Sequence, residues 1–594
     1  MTTLEQTSLH PAEIFARWVA ELGDAFERAD AEAVAELVDA DGFWKDILTF
    51  HWGYRTFSGR DSIVEGLVTS IPTARPRNFR VSPNRHAPRV VKRSSRPLIE
   101  AYFDFDTDLG SATGFVRLNY DADDPTPRRA WIVLTTLQSL WGFEERLGAR
   151  RPTGEEYSHT FNGDNWLDIR QREQAFADRD PQVLVVGGGQ AGLMIAARLR
   201  QMGADTLVVE RHERVGDNWR ERYHSLTLHN ETWGNSLPYV PFPDTWPTFL
   251  PKDKLADWLE FYAETMELNV WAGTEFVGAE RDESAGVWTA TVRRGDGAER
   301  VFTVPHIVFA TGGHSGVPYV PEVTGLNEFT GTVLHSSRFT DGREYAGKRA
   351  IVFGTGNSGH DIAQDLHANG ATSVTLIQRS PTCVVSLKPS GTLVYAIYSE
   401  GVAAEDVDLI TAAIPYDVLR DTYQWLTART CTLDRELIDG LEAAGFRTDY
   451  EPDGTGFHMR YLRRGGGYYI NVGCSDLIID GSITVEQGSE VDRIVPGGLL
   501  RLDGRVIEAD VLIFATGYAN QQEGVRRLLG DEVAEKVGPI WGFDENGTMA
   551  NMWQRTAQPG FWVMGGALME ARFQSRFLAV QIKAELEGLA PPRE

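Results

Sequence analysis

Cysteine is scarce in this chain: three in 594 residues, Cys383, Cys431 and Cys474. They stand far apart and form no CxxC pair. That argues against a disulfide framework, a thiolate metal cluster and a dithiol redox centre, and a reduced, cytoplasmic protein is expected. Long hydrophobic runs are missing too. Nothing approaches the roughly 18 apolar residues of a membrane span, and the tail ELEGLAPPRE cannot anchor in a bilayer. The start, MTTLEQTSLHPAEIF, lacks the basic segment and apolar stretch of a secretory signal. Positive charge is in short supply, with 58 Lys and Arg against 84 Asp and Glu and a net charge of −26. A nucleic acid or an anionic membrane is therefore not expected as a partner. Low-complexity tracts are absent, and the length calls for two to four globular domains.

What is present is ordered in blocks. Residues 10–40 read as helical, with Ile14, Trp18, Leu22, Val34, Leu37 and Val38 near a 3.6-residue period. Residues 86–140 carry strand-like runs (APRVVKR, LIEAYFDFD, ATGFVRLNY, RAWIVLTTLQSLW), with a turn signal at Asp123–Pro125. Helices followed by a curved antiparallel sheet suggest an α+β cone over residues 1–150. Its segment FWKDILTFHWGYRTFSGRDSI places Asp46, His51 and Tyr54 as candidates for lining a small cup. The competing reading is a packing or dimerisation module without chemistry. The polar stretch 151–180 reads as a linker, with Trp166 and Leu167 expected to pin it to a neighbouring surface.

The chemistry begins at VLVVGGGQAGLMIAARL. Gly187, Gly189 and Gly192 fill the three positions of GxGxxG after an apolar strand and before a helix, the arrangement that brings a pyrophosphate onto a helix N-terminus. Gln190 and Ala191 open that helix. Glu210 ends the following strand, TLVVE, where a carboxylate can accept ribose hydroxyls. Gly354, Gly356 and Gly359 repeat the spacing after RAIVF, with Asn357 and Ser358 opening the second helix. The strand after it, SVTLIQRS, ends in Arg379 rather than an acid. A guanidinium there can bind a 2′-phosphate that a carboxylate would repel, so the second site reads as one for NADPH, with NADH not excluded.

Further marks point to a flavin in the first site. RHERVGDNW (211–219) resembles the segment that follows the acidic residue in flavoprotein monooxygenases, with Arg211 and Trp219 in place and Asp217 standing where a glycine is usual. IVFATGG (307–313) and LIFATGY (512–518) resemble the paired Ala-Thr-Gly motifs of two-dinucleotide enzymes and supply Thr311, Gly312, Thr516 and Gly517. FTGTVLHSSRF matches the family signature at Phe329, Gly331, His335 and Phe339; the best-known Baeyer–Villiger enzymes carry Trp at the last position. Together these marks cover about 400 residues. The chain resembles class B flavoprotein monooxygenases, closest to the N-terminally extended type II flavin-containing monooxygenases, with the plant YUCCA enzymes more distant.

The resemblance implies an α/β fold with two Rossmann-like dinucleotide-binding domains, for FAD and NADPH, preceded by a SnoaL-like or nuclear transport factor 2-like α+β domain. The FAD domain is expected at 181–345, the NADPH domain at 346–489 with a helical insertion at about 395–465, and the completion of the FAD domain at 490–594. It also implies O2 and a small organic substrate as partners, with oxygen transfer through a C4a-(hydro)peroxyflavin. TWGNSLP (232–238) resembles the family segment that sets an asparagine beside the flavin, which makes Asn235 the catalytic candidate and Asn230 the runner-up. His335 is the second catalytic candidate, read as organising the linker and nicotinamide side rather than as a base. For Arg338 a cofactor contact and a neighbouring acid stay open. The final helix is expected to start near the flavin pyrimidine ring, with Phe573, Phe577 and Val580 on its core face. Ketone Baeyer–Villiger oxidation, with S- or N-oxidation beside it, is the expected reaction. The alternatives are an indole-3-pyruvate-type decarboxylating monooxygenase, anchored by Arg463 or Arg464, and a non-catalytic redox or nucleotide sensor. The insertion and GGGYYINVG (465–473) are expected to roof the pocket. The N-terminal module is a candidate homodimer contact. A disulfide reductase would need the close cysteine pair this chain does not have.

Overall fold

The computed structural model describes residues 10–121, 129–154, 157, 161–312 and 316–593. The turn expected at Asp123–Pro125 and the last glycine of IVFATGG lie outside the described residues. The chain starts with two helices, Pro11–Glu27 and Ala31–Leu37, and then turns into strand Val38–Ile47. Helical periodicity over 10–40 thus ends at Leu37. A third helix, Arg60–Ala74, was masked in the sequence by its Pro72. These helices lie against a seven-stranded sheet that is antiparallel except where Val38–Ile47 runs parallel to Ala130–Leu137.

Aromatic rings pack the inside of this N-terminal unit among the described residues. Phe26 stacks on Phe50 and Phe79, and Phe79 on Phe105, with ring centroids 4.8–5.5 Å apart. Asp46 is fully buried and accepts from the Phe50 and His51 amides and from Thr135 Oγ1. Tyr54 faces away from it and donates to Gln574 Oε1 at 2.6 Å. Large rings fill the space on this side, while the half-exposed His51 ring meets Ser70 Oγ at 3.0 Å. The other face of the sheet, carrying Ile47, Tyr102 and Phe115, joins the main core of the chain.

Two parallel five-stranded sheets follow. The first runs in the order Val270–Trp271, Thr206–Val209, Val183–Val186, His306–Phe309, Phe561–Val563. The second runs Thr332–His335, Val511–Phe514, Arg349–Phe353, Ser373–Gln378, Thr484–Gln487. Their strands read as continuous apolar runs because helices cover both faces. Each unit inserts a three-stranded antiparallel meander, 274–304 and 491–508, just before the strand that ends in Ala-Thr-Gly. The boundaries expected at 345 and 490 both fall inside the second unit, which draws strands from 332 and from 511. The chain returns to the first sheet only at Phe561.

The stretch 151–180 contains helix Trp166–Ala175. Trp166 Nε1 donates to Glu267, and the buried Arg170 donates to Asn269 and Leu268 O. Leu167 remains half exposed, so Arg170 rather than Leu167 completes the anchor. Helices Ala404–Ala412, Tyr416–Leu433, Arg435–Ala443 and Gly456–Arg464 form the insertion. Among the described residues no helix is long and apolar enough to cross a membrane.

Candidate active site

Both glycine turns sit where the strand order of their sheet reverses, between neighbours reached by crossovers in opposite directions, which is where α/β sheets bind ligands. The two turns are built alike. Gly187 and Gly354 have φ of +109° and +114°, and a side chain at either would run into the carbonyl of Ala310 or Ala515. Those alanines belong to the two Ala-Thr-Gly motifs, so each motif is the floor under one turn. A side chain at Gly192 or Gly359 would overlap the carbonyl oxygen of Gly187 or Gly354. The helices Gln190–Gln201 and Asn357–Ala368 begin at Gly189 and Gly356 with no side-chain cap, so the amides of their first turns remain available to phosphate oxygens. Geometry and charge in both turns suit a pyrophosphate.

Around the first turn, Glu210 is buried and binds the turn itself. Oε2 accepts from Gly188 N at 2.7 Å, and Oε1 from His212 N at 2.9 Å and His212 Nδ1 at 2.5 Å. Burial opposes its charge, yet these donors hold the carboxyl below the usual range. One lone pair of Oε2 is left for a ribose hydroxyl. Trp219 Nε1 donates to Gln190 Oε1, which brings the tryptophan to the first helical residue. Asn218 also borders the turn, close to where a side chain at Gly189 would stand. His212 and Asn218 carried no sequence signal, since each lies between better-known motif positions. Ala191 is buried, Thr311 is half-buried beyond the floor, and Gly312 takes φ +97°. Arg211 is exposed.

Around the second turn, Asn357 Oδ1 accepts from Ile470 N at 2.9 Å and Ser358 is exposed. Arg379 is exposed just past its strand, and among the described residues its guanidinium has no acidic partner. Arg338 is exposed as well. His335 is fully engaged: Ser337 N donates to Nδ1 at 3.1 Å, which puts the proton on Nε2, and Nε2 donates to Gly517 O at 2.9 Å. Burial pulls its pKa down. A neutral imidazole with both nitrogens occupied ties the edge strand Thr332–His335 to the second Ala-Thr-Gly bend, where Gly517 has φ +80° and Thr516 Oγ1 donates to Tyr319 O.

Asn235 is buried at the end of the short turn Thr232–Gly234, with Nδ2 3.5 Å from Asn230 O. The C-terminal helix Leu568–Leu586 holds this loop. Arg572, 1% exposed, donates to Gly234 O at 3.0 Å and to Ser236 Oγ at 2.9 Å, and forms a bidentate pair with Asp408 of the insertion at 2.7 and 2.8 Å. Asp408 also accepts from Tyr398 at 2.7 Å. Two residues earlier on the same helix, Asp406 is bound from the N-terminal unit by Arg85 at 2.7 Å and by His86 N at 2.8 Å. Phe577 and Val580 are buried and Phe573 packs on Phe577, as their spacing predicts.

Beside the second turn lies an aromatic recess. Tyr395, Tyr423, Phe457, His458, Tyr461 and Tyr468 meet there, and Tyr461 donates to Glu570 Oε2 at 2.8 Å. Tyr395 adjoins Asn230, and Tyr468 adjoins Asn357 of the second turn. Tyr395, His458, Tyr461 and Tyr468 keep accessible surface, while Tyr423 and Phe457 are buried behind them. Its neighbour Tyr469 is core instead, stacked on His360 at 3.8 Å. Arg463 is bound by Asp453 at 2.6 Å, by Glu451 and by Tyr416, and Arg464 is largely exposed beside Glu451, so neither is a free anchor. Cys383 and Cys474 are buried free thiols whose pKa values burial pushes up, which fits core residues and no dithiol centre.

Comparison with known proteins agrees with this geometry. The family described as flavin-binding monooxygenase-like matches residues 180–397. The probable indole-3-pyruvate monooxygenase YUCCA9 of Arabidopsis thaliana is 34% identical over 362 residues, which cover 60% of this chain and 80% of that protein. The chain belongs to the flavin-binding monooxygenase-like family. The indole-3-pyruvate monooxygenase YUCCA8 of Oryza sativa subsp. japonica is 31% identical over 343 residues, covering 56% of this chain and 75% of that protein. Among solved structures, cyclohexanone monooxygenase bound to ε-caprolactone superposes with a TM-score of 0.51 at 17% identity, covering 69% of this chain and 88% of that one. A complex of OTEMO with FAD and NADP gives a TM-score of 0.51 at 16% identity, with 69% and 86% covered. These structures share the two-dinucleotide fold. As a member of the flavin-binding monooxygenase-like family, this chain is an oxidoreductase that works with a flavin.

Proposed function

We propose that this flavin-dependent monooxygenase takes FAD at the first turn and NADPH at the second, and that it inserts one atom of O2 into a small, neutral, apolar or cyclic substrate, foremost a ketone and beside it a sulfide or amine. The flavin, when bound, supplies the redox and oxygen chemistry. The chain's own residues bind and orient. The two uncapped helix starts receive the pyrophosphates. Arg379 receives a 2′-phosphate, the Asn235 loop is held at the recess by Arg572, and His335 fixes the linker. The N-terminal unit is read as a SnoaL-like module used for packing.

The observation that carries the substrate class is the recess. Its wall is aromatic, its one acidic group is Glu570, and Arg463 is committed to Asp453 and Glu451. A keto acid would bring its carboxylate against an aromatic wall where the nearby Arg463 guanidinium is already taken. The rival reading, an indole-3-pyruvate-type reaction, is favoured by the similarity to the YUCCA proteins. The two separate in one experiment: NADPH consumption, O2 uptake, peroxide release and product formation by the purified holoenzyme with cyclic ketones, thioethers, tertiary amines and indole-3-pyruvate. Oxygenated product from the neutral compounds supports the proposal. Tight coupling with indole-3-pyruvate alone refutes it, and NADPH-independent behaviour throughout would leave only a sensor.

A further inference from the structure

Glu570 stands at the third position of the C-terminal helix, where the first sheet's strand Phe561–Val563 gives way to the helix start. Parallel register sets the end of that strand beside the ends of Val183–Val186 and His306–Phe309, and so beside the first glycine turn. A carboxyl at this helix position ordinarily closes a capping box and faces solvent. Here it closes that box and also faces the aromatic recess. Oε2 is closed by two donors, Ala567 N and Tyr461 Oη, both at 2.8 Å. Oε1 has no partner among the described residues, and the residue is only half-buried. The Tyr461 hydroxyl, already donating to Glu570, has no proton left for a ligand. Burial raises the Glu570 pKa against the pull of its two donors.

Resting on the reading above of a neutral substrate, we propose that Glu570 is a substrate-anchoring group whose Oε1 edge, in the protonated form, donates a hydrogen bond to the carbonyl oxygen of a ketone held among Tyr395, Tyr423, His458 and Tyr468. A neutral acid presents a proton on an edge that no described residue occupies, and apolar surroundings are what keep such an acid neutral. The titratable groups facing it come from each packed element. Tyr395 and Tyr423 are held above the ordinary phenol range by burial, as is Tyr461, and Tyr468 is pushed up to about 12. Burial takes His458 down to about 4. None of these neighbours changes charge between the His458 and Tyr468 values, so a pH response of ketone binding that Glu570→Gln lacks reports on Glu570.

The test is steady-state kinetics of the FAD-loaded full chain, wild type with Glu570→Gln and Glu570→Leu, using cyclohexanone and a methyl aryl thioether as probes. Glutamine keeps an acceptor for Ala567 N and Tyr461 and a permanent donor on the free side; leucine keeps neither. For cyclohexanone the expected KM stays within about twofold in Glu570→Gln and rises roughly five- to tenfold in Glu570→Leu. The thioether, which has no carbonyl, is expected to shift with neither. The wild-type ketone KM should climb as pH rises through the Glu570 ionisation, and the Gln profile should be flat. Flavin content and the thermal unfolding midpoint of the Leu variant show that it is folded. Equal ketone KM in all three proteins would overturn the anchor. So would a Gln variant as impaired as Leu with tertiary-amine binding lost, since the carboxylate would then be the working form, holding an ammonium. Wild-type enzyme that oxygenates no ketone at all marks failure of the underlying substrate reading, and the anchor falls with it.

Discussion

Arg572 is the side chain through which three parts of the chain meet, and removing it has a calculable effect. Its guanidinium is 2% exposed and its partner Asp408 3% exposed, so both charges are desolvated and each depends on the other. In Arg572→Met the buried carboxylate keeps only the Tyr398 hydroxyl, and Gly234 O and Ser236 lose their donor. Breaking one side of a buried pair costs about 3–5 kcal/mol. At roughly 2–4 °C per kcal/mol for a unit of 150–250 residues, the flavin-domain transition should fall by about 6–20 °C. The double variant Asp408→Leu with Arg572→Met removes both charges and should recover most of that loss, because a buried ion pair and an apolar pair of similar size differ little in stability. It restores no donor to the Asn235 loop. Thermal unfolding followed by flavin fluorescence reads the first effect, and the ratio of oxygenated product to peroxide reads the second. A stable but uncoupled double variant is the expected outcome. A single variant that loses under about 1 kcal/mol, or a double variant that regains full coupling, refutes the reasoning.

Two further outcomes follow from the second unit. Arg379→Glu should raise KM for NADPH by about 10- to 100-fold and change that for NADH little, because charge-assisted bonds to a phosphate are worth about 1.5–3 kcal/mol; an unaltered NADPH to NADH ratio would mean that the 2′-phosphate is bound elsewhere. Asp361, on the helix that starts at the second turn, is raised to about 6 by burial, against the Tyr223 hydroxyl that donates to it at 2.5 Å from the first unit. Its folded pKa thus lies above the unfolded value of 3.8, so the folded chain holds more protons between those values. Stability from this group is present below pH 4 and is lost as pH rises through about 6, by at most about 3 kcal/mol. Denaturation midpoints of Asp361→Asn should lack that part of the slope between pH 4 and 6, and a slope equal to the wild type's would show that the carboxyl is not desolvated.

How much of this could be read from the chain depends on whether a constraint is local. The glycine turns were legible because each position is dictated by atoms a few residues away: Gly192 by the carbonyl of Gly187, Gly359 by that of Gly354. The Ala-Thr-Gly motifs were visible as strand ends, though their role as floors under those turns needed the sheet order. The N-terminal strands were anticipated, but alternation along a strand says only that two faces differ. It cannot say that one is filled by Phe26, Phe50, Phe79 and Phe105. The polar pairs that shape the recess were not legible at all. Asp408 meets Arg572 and Tyr461 meets Glu570 across more than a hundred residues, and in sequence each of these looks like part of a solvated helix face. Charge reveals its role only through desolvation, a property of the assembled surface. Arg463 shows this from the other side: as a basic residue near an aromatic segment it suggested a carboxylate anchor, and Asp453 and Glu451 had already taken its charge. What selects the substrate on this reading is which groups folding leaves unpaired, and among the described residues of this recess Glu570 Oε1 is one of them.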